Sequence, residues 1–434
     1  MQGFSRQSLT VGLLVAAGLA VACPGRADDG FTPVKSSVRY RRIGVYDRAR
    51  LTAILERDLD AFLTGSTMQR GEFTGEFATP RHAVTLYEVR FDSVIPEWDN
   101  EPTVSGGLLA IPDDGQTSHP LVSYQHGTVF GLDQVPSRPD NSFETQLALA
   151  AFASQGYVVI AADYFGLGES RVGGGARRAP NSFIVPQGTV QAMLDHRRAS
   201  AAVLESLGQT TPQFFLYGWS QGGWSTMQFL RRLESLEIPV TAAVTVSAPV
   251  DPAAAFRRPL VNPRPQDAAW VKGCINNMIW AYEEYARMPG FAASAIKPEY
   301  LAASRRFYAG ELDWASFNAG LPGSASDMLR PEFVATAASG EGRFWDTVEQ
   351  VSAYGWKIRT PLRSYAGGSD EAIPAEVSRM VVDFNRLLGG TSVEFFSAGE
   401  RADHRASFVQ ATLEAKAWFD TFARPAEKTE KQPR

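Results

Sequence analysis

The sequence predicts an α/β protein with a mostly parallel central sheet, helices on both faces and an inserted helical segment. Three observations lead to this prediction. After Leu121, strand-like and helix-like segments alternate, which is typical of a parallel sheet with right-handed crossovers. The apolar run 214–217 then enters Gly218-Trp219-Ser220-Gln221-Gly222, and the helix formers that follow indicate a sharp turn from strand to helix. Finally, about a hundred residues without strand character interrupt the alternation after Pro249.

The individual elements follow from hydrophobic periodicity. Residues 45–63 have a helical pattern, and residues 83–89 and 104–111 alternate like two strands that open the sheet in antiparallel fashion. The later strands are predicted at 121–124, 157–162, 214–217, 240–246, 362–365 and 392–396. Helices are predicted at 187–207, 223–233 and 375–388, and a last helix follows the final strand.

The length of 434 residues suits one sheet domain with an insertion. Residues 28–250 and 355–424 are expected to form the two parts of the sheet domain, and residues 251–354 an inserted helical cap or lid. The cap is rich in aromatic residues; most should form its own core, and the others could line a pocket. Residues 425–434 are polar and charged, so we expect a disordered tail.

Residues 1–27 have the features of a signal peptide. Arg6 precedes the apolar run 11–22, which is too short to span a bilayer. Cleavage after Ala27 would give an exported protein, periplasmic or extracellular. A second route is an imperfect lipobox that ends at Cys23 and would leave a lipid-anchored protein, but Ala20 and Val21 are not the preferred residues before such a cysteine. We expect no membrane-spanning segment in the rest of the chain.

Composition excludes several function classes. The net charge is −5 and no block of Lys or Arg occurs, which argues against nucleic-acid binding and suits small neutral substrates. Of the two cysteines, Cys23 is lost or modified on either processing route, so no internal disulfide is expected. Cys274 is predicted to be a small buried residue that fills space in the core. No grouping has metal-ligand spacing, and neither a metal nor a cofactor is expected. The oligomeric state stays open.

Ser220 is the leading nucleophile candidate because it occupies the centre of the Gly-x-Ser-x-Gly turn. The flanking glycines allow the backbone to approach closely on both sides. The pentapeptide alone is a weak signal, and three further segments supply context. A strand runs into Gln125-His126-Gly127-Thr128, another runs into Gly367-Gly368-Ser369-Asp370, and Asp403-His404 precedes the last helix.

These segments supply the groups that acyl transfer requires. A serine hydroxyl needs a base within hydrogen-bond reach and a third group that orients the base. His404 is the predicted base, since it follows the last strand and precedes a helix. The backbone amides of Gln221 and Thr128 are the predicted oxyanion-hole donors. The orienting acid has three candidates by position, which are Asp370, Glu371 and Asp403.

Taken together, the motifs resemble those of secreted α/β-hydrolases, nearest to the secretory lipases. The resemblance covers about residues 84–422, except for part of the middle, and includes Asp163-Tyr164-Phe165-Gly166-Leu167-Gly168 and Asp370-Glu371-Ala372-Ile373-Pro374. It implies the α/β-hydrolase fold and a serine esterase or lipase with the catalytic triad Ser220, Asp370 and His404. It also implies that Asp370 is the acid and that Asp163 lies in a turn that shapes the floor of the site. We expect Glu371 to be a solvated neighbour of the acid.

Two other functions remain compatible with the sequence. A peptidase or amidase of the same fold would use the same chemistry, and Glu283 with Glu284 is a pair that could bind a peptide amino terminus. A non-catalytic ligand-binding protein is the second alternative, which the retained Ser, Asp and His oppose. His126 is expected to shape the oxyanion loop. The sequence assigns no substrate-binding residues and no acyl chain length.

Overall fold

A mixed sheet of twelve strands runs through the computed structural model, which describes residues 30–423. The expectations for residues 1–27, including Cys23, and for the tail 425–434 lie outside the described residues. The strands are β1 Thr32–Lys35, β2 Val38–Tyr46, β3 Val84–Ile95, β4 Glu101–Pro112, β5 Leu121–Gln125, β6 Val158–Ala162, β7 Arg171–Val172, β8 Arg177–Arg178, β9 Phe214–Trp219, β10 Ala242–Val246, β11 Leu362–Ala366 and β12 Val393–Ser397.

Fifteen α-helices accompany these strands within the described residues. They are α1 Arg48–Ala53, α2 Leu59–Phe62, α3 Phe143–Ala151, α4 Pro186–Ser206, α5 Gln221–Ser235, α6 Pro252–Val261, α7 Val271–Tyr285, α8 Phe291–Ala295, α9 Pro298–Tyr308, α10 Trp314–Ala319, α11 Ala325–Met328, α12 Pro331–Ser339, α13 Arg343–Glu349, α14 Ala375–Leu387 and α15 His404–Phe422. A π-helical turn, Ile54–Asp58, joins α1 to α2. None of the helices in the described part is long and apolar enough to cross a membrane.

The order of the strands places the candidate site residues at one edge of the sheet. The order is β1-β2-β3-β4-β6-β5-β9-β10-β11-β12, with the β7–β8 hairpin paired to β4. Strands β1 to β4 are antiparallel to their neighbours, and β4 is antiparallel to β6. The neighbouring pairs along the series β6-β5-β9-β10-β11-β12 are all parallel. Since parallel strands end at the same edge, the loops after β5, β9, β11 and β12 lie side by side, where α/β folds bind their ligands.

Both faces of the sheet are buried, as β9 illustrates. Phe214 and Leu216 pack in one apolar cluster with residues of α4 and α5, and Phe215 and Tyr217 pack in another with residues of α3 and α15. Side chains alternate between faces along a strand, so a strand covered on both sides carries a continuous apolar run. This is why the sequence signal at 214–217 was an unbroken apolar stretch.

Residues 251–354, which we call the cap segment, contain the eight helices α6 to α13 and contribute no strand to the sheet. Hydroxyl groups of the cap segment bind the loop before α4. Tyr285 donates to the carbonyl of Pro180 at 2.8 Å, and Tyr308 donates to the carbonyl of Asn181 at 2.8 Å. The cap segment is therefore hydrogen-bonded to the sheet domain through loop carbonyls that would otherwise lack partners.

The first helix is shorter than the sequence predicted, and five elements were not predicted. Val45 and Tyr46 complete β2, with Tyr46 paired to Val84, and α1 begins only after Asp47, whose side chain accepts from the amide of Arg50 at 2.7 Å. The five elements that were not predicted are the strands β1, β2, β7 and β8 and the helix α3. In α3 the residues from Glu144 to Ala151 are all buried, so the helix lacks the polar face on which periodicity depends.

Candidate active site

Ser220 occupies a strained turn between β9 and α5. Its backbone has φ 58° and ψ −125°, a conformation that is uncommon for a residue with a side chain. Positions 218 and 222 require glycine, because a side chain at either would collide with nearby backbone atoms. A Cβ on Gly218 would lie 2.2 Å from the carbonyl oxygen of Gly222, and a Cβ on Gly222 would lie 1.9 Å from the carbonyl oxygen of Gln125. The Gly-x-Ser-x-Gly pattern thus reflects the close approach of β5, β9 and α5.

His404 is held by Asp370, which comes from a different loop. The Nδ1 atom of His404 lies 2.9 Å from Oδ2 and 3.1 Å from Oδ1 of Asp370. The carboxylate is itself fixed, because Oδ1 accepts from the amides of Ala372 at 2.9 Å and Ile373 at 2.8 Å. An ionised carboxylate only accepts hydrogen bonds, so the proton of the neutral imidazole resides on Nδ1.

The second ring nitrogen of His404 is available as a base. Nε2 is buried and makes no hydrogen bond to any residue within 30–423, and His404 lines the same cavity as Ser220. The hydroxyl of Ser220 is therefore not hydrogen-bonded to Nε2, although the two residues line one cavity. In serine hydrolases without substrate such bonds are often long, and they tighten in the substrate complex.

The charges around His404 favour its protonated form. Burial alone would lower the pKa of His404, but the negative charge and hydrogen bond of Asp370, helped by Glu371 and Asp403, outweigh burial and raise the pKa above its ordinary value. Burial would raise the pKa of Asp370, but the nearby imidazole and the hydrogen bonds to its carboxylate lower it. Asp370 is therefore ionised at neutral pH and can stabilise a positive imidazolium.

The other two carboxylates that the sequence left open form their hydrogen bonds with the loop, and they act on the ring through their charge only. Glu371, which was expected to be a solvated neighbour, is half-buried, and its Oε2 accepts from the backbone amide of His404 at 3.0 Å. Asp403 caps α15, and its side chain accepts from the amide of Ala406 and the hydroxyl of Ser66, both at 2.8 Å. Asp370 alone of the three carboxylates bonds the imidazole within the described residues.

Two tryptophans enclose the imidazole, a feature that sequence reasoning missed. The ring of Trp219 lies 5.0 Å from that of His404, and its Nε1 donates to the backbone carbonyl of His404 at 3.2 Å. Trp270 of the cap segment places its ring 5.3 Å from the imidazole. Trp219 is the variable residue of the pentapeptide next to the serine, so its position was visible in the sequence but its contact was not.

The predicted oxyanion donors adjoin Ser220. Gln221 is the first residue of α5, and an amide at this position has no acceptor within its helix. Thr128 follows β5, and Thr128, Ser220 and Gln221 line one narrow pocket. His126 shapes this loop, since Nδ1 lies 2.8 Å from the carbonyl oxygen of Gly127. Burial lowers the pKa of His126 to about 4, so its imidazole is neutral.

Glu144 of α3 is a further residue that sequence reasoning missed. Its buried Oε2 accepts from the amide of Gly127 at 2.7 Å and from the hydroxyl of Tyr124 at 2.5 Å, and the residue lines the cavity that contains Ser220. Burial raises the pKa of Glu144 to about 7 against the opposing effect of these hydrogen bonds. No motif surrounds Glu144, so the sequence carries no signal for this role. The carboxylate anchors the backbone one residue before Thr128.

Replacing Glu144 by glutamine is expected to flatten the pH dependence of stability. The pKa in the folded state exceeds the ordinary glutamate value of 4.5, so stability is fully present below about pH 4.5 and is lost as pH rises through about 7. The variant keeps an acceptor for Gly127 but cannot ionise. Urea unfolding at pH 5, 6, 7 and 8 should show that the free energy of unfolding falls by roughly 1 to 3 kcal/mol in the wild type but not in Glu144→Gln. The control is Glu205→Gln, a change at an exposed residue, which should lose stability with pH as the wild type does. Equal slopes of unfolding free energy against pH in all three proteins would contradict the raised pKa of Glu144.

The cavity at Ser220 has a volume of about 370 Å³, and its walls combine aromatic rings with polar side chains. Six rings line it, those of Phe62, Phe130, Phe143, Trp219, Trp270 and Trp314. Glu283 and Glu284, the acidic pair noted in the sequence, are not among its lining residues. Glu283 accepts from the amide of Ala292 at 2.6 Å, and Glu284 pairs with Arg305 at 3.1 Å. The pair therefore supports the cap segment and does not face Ser220.

Solved structures of esterases and lipases resemble this chain in fold. The ligand-bound form of LipA, a rice cell wall degrading esterase from Xanthomonas oryzae, aligns with a TM-score of 0.74 at 19% identity over 89% of this chain and 98% of that one. A Legionella pneumophila protein provisionally assigned as a hydrolase aligns with a TM-score of 0.75 at 21% identity, over 91% and 99% of the two chains. Closed Candida antarctica lipase A gives 0.62 at 17% identity, over 78% and 77%.

No family model matches the sequence, and no curated protein matches it either. At identities this low, the structural likeness establishes the fold and leaves the activity to be argued from the site. The sheet order, the helices on both faces and the agreement with these solved structures together confirm the predicted fold class. The chain has the α/β-hydrolase fold.

Proposed function

We propose that this protein is an exported serine hydrolase that cleaves carboxylic esters through an acyl-enzyme. One observation carries the proposal. Ser220, Asp370 and His404 come from three loops at one edge of the sheet, Asp370 binds Nδ1 of His404, and the unbonded Nε2 belongs to a residue that shares a cavity with Ser220. This is the arrangement of nucleophile, base and orienting acid that acyl transfer needs.

The first half of the reaction forms the acyl-enzyme. Oγ of Ser220 attacks the ester carbonyl carbon while Nε2 of His404 takes the hydroxyl proton. The carbonyl oxygen becomes an oxyanion and faces the amides of Gln221 and Thr128. His404 then gives its proton to the alcohol oxygen as the C–O bond breaks, so the alcohol leaves and the acyl group stays on Ser220.

The second half repeats the same proton transfers with water. His404 removes a proton from a water molecule, whose oxygen attacks the acyl carbon, and the proton returns to Oγ of Ser220 as the carboxylic acid leaves. In both halves Asp370 keeps the imidazole proton on Nδ1 and stabilises the imidazolium. An oxyanion-hole donor typically contributes about 100-fold to 1,000-fold in kcat.

Esters are favoured over amides by what surrounds Ser220. The pair Glu283 and Glu284, which would suit a peptide amino terminus, does not line the cavity. The two glutamates that do line it, Glu144 and Glu371, already accept from the backbone amides of Gly127 and His404. The named structural neighbours are an esterase and a lipase, which supports the same choice. A peptidase or amidase is thus an outcome of the test below, and a binding protein without activity is the other.

Hydrolysis and active-site labelling test the proposal together. The purified protein is expected to hydrolyse p-nitrophenyl acetate, and a fluorophosphonate probe should label Oγ of Ser220, as peptide mass spectrometry would show. A panel of dipeptide amides should be turned over far more slowly. A folded protein that neither hydrolyses esters nor takes the label would contradict the proposal, and faster turnover of amides would favour a peptidase.

Export is proposed from the leader alone. The apolar run 11–22 after Arg6 is the supporting observation. The mass of the mature protein from a membrane-free fraction of the native host should correspond to cleavage after Ala27. A lipid-modified Cys23 in the membrane fraction would instead show anchoring.

A further inference from the structure

Two spaces of very different size meet at Ser220. The first is the aromatic cavity of about 370 Å³, and the second is the narrow pocket of about 10 Å³ that Gln221 lines. Ser220, Thr128 and Trp270 border both spaces. A substrate bonded to Oγ of Ser220 therefore has one spacious side and one confined side.

The two sides can be assigned to the two parts of an ester. His404 lines only the wide cavity, and Gln221 lines only the narrow pocket. Since His404 must reach the oxygen of the leaving alcohol, the alcohol lies in the wide cavity. The carbonyl oxygen binds the backbone amides of Gln221 and Thr128, which form one side of the narrow pocket. The other walls of this pocket are mostly apolar, so the acyl chain, and not the oxyanion, is the group that fits between them. We propose, resting on the proposed function, that this enzyme hydrolyses acetyl esters of bulky, ring-bearing alcohols.

The narrow pocket has room for an acetyl methyl group and little more. Its volume is that of about one water-sized sphere, and a methyl group is of similar size. Its walls include Phe183, Phe256 and the buried Cys274, and the two phenyl rings meet edge to face with centroids 6.2 Å apart. A longer acyl chain would have to displace these side chains, and densely packed interiors resist such displacement.

One wall of the narrow pocket is also held in place by the cap segment. Ile184 lines the pocket with φ 55°, a strained backbone conformation for a β-branched residue. Its carbonyl accepts from the hydroxyl of Tyr282 at 3.1 Å, beside the bonds of Tyr285 and Tyr308 to the same loop. Three tyrosines therefore restrain residues 180–184, and this wall of the pocket cannot move outward without breaking these bonds.

The wide cavity suits a flat ring on the alcohol. Phe62 and Phe143 stack at 4.5 Å on one wall, and Phe130 and Trp314 stack at 5.0 Å on another. Aromatic surfaces of this kind stack with a planar ring, which adds binding free energy beyond burial. An alcohol with a ring system fills this space, and a small alkyl alcohol leaves it unfilled.

The acyl part is tested with p-nitrophenyl acetate, butyrate and octanoate, which share one leaving group. For the wild type, kcat/KM should fall about tenfold or more from acetate to butyrate and further to octanoate. Phe256→Ala enlarges the narrow pocket and should raise the butyrate-to-acetate ratio about tenfold. Phe333→Ala is the matched control, because Phe333 is a similarly buried cap residue that lines neither space. If Phe256→Ala does not fold, the milder Cys274→Ala should shift the ratio in the same direction.

The alcohol part is tested with 2-naphthylmethyl acetate against ethyl acetate, both esters of primary alcohols. The wild type should prefer the naphthylmethyl ester about tenfold or more in kcat/KM, and Trp314→Ala should reduce that preference. Equal or faster hydrolysis of octanoate, or no preference for the naphthylmethyl ester, would overturn this inference and leave the serine esterase standing. Absence of hydrolysis with every ester would overturn the proposed function as well.

Discussion

Ser220→Ala is expected to lower kcat/KM for p-nitrophenyl acetate by about 10⁵-fold to 10⁶-fold, because the variant has no hydroxyl to attack the carbonyl. The backbone conformation at the elbow is set by the contacts of Gly218 and Gly222 and not by the serine hydroxyl. The melting temperature should therefore stay near that of the wild type. Residual hydrolysis would reflect substrate binding and the oxyanion donors alone.

Ser225→Ala is the matched control for this change. It removes the same atom from a buried serine one and a half turns further along α5, where the side chain does not line either space at the site. This control should retain activity close to that of the wild type. Equal activity of Ser220→Ala and the wild type would eliminate Ser220 as the nucleophile.

Asp370→Asn is expected to lower kcat by about 10⁴-fold, the loss that this change causes in a serine protease triad. An asparagine amide can donate to Nδ1, which would move the imidazole proton to Nε2 and block the base. Loss of the negative charge should also remove the main effect that raises the pKa of His404. Activity needs neutral His404, so kcat/KM rises with pH as His404 loses its proton. In the wild type this rise should occur above the ordinary histidine pKa, and in the variant any residual activity should appear at lower pH.

The other two carboxylates provide the controls for Asp370. Asp403→Asn keeps an efficient helix cap, and Glu371→Gln keeps an acceptor for the amide of His404, so each should cost less than about tenfold in kcat. The pH profile of kcat/KM from pH 5 to 9 should change most in Asp370→Asn. A loss in Asp403→Asn or Glu371→Gln as large as that in Asp370→Asn would show that the acid has been misassigned.

The sequence by itself determined the fold class and the order of the candidate site residues. Local rules were sufficient there, because buried strands such as 214–217 are continuous apolar runs and the turn at Ser220 needs glycine on both sides. It also limited the orienting acid to three carboxylates, which are Asp370, Glu371 and Asp403. Local rules were misleading at residues 45–46, where pairing with β3 outweighed the helical pattern.

The tertiary structure alone decided which groups touch and what space remains between them. Glu144 binds the amide of Gly127 across 17 positions of sequence, and Tyr282 binds the carbonyl of Ile184 across 98. No local pattern encodes such contacts, because they depend on how separate elements pack. The same holds for the wide and narrow spaces at Ser220, since the size of a cavity is a small difference between the large volumes of all the side chains that surround it.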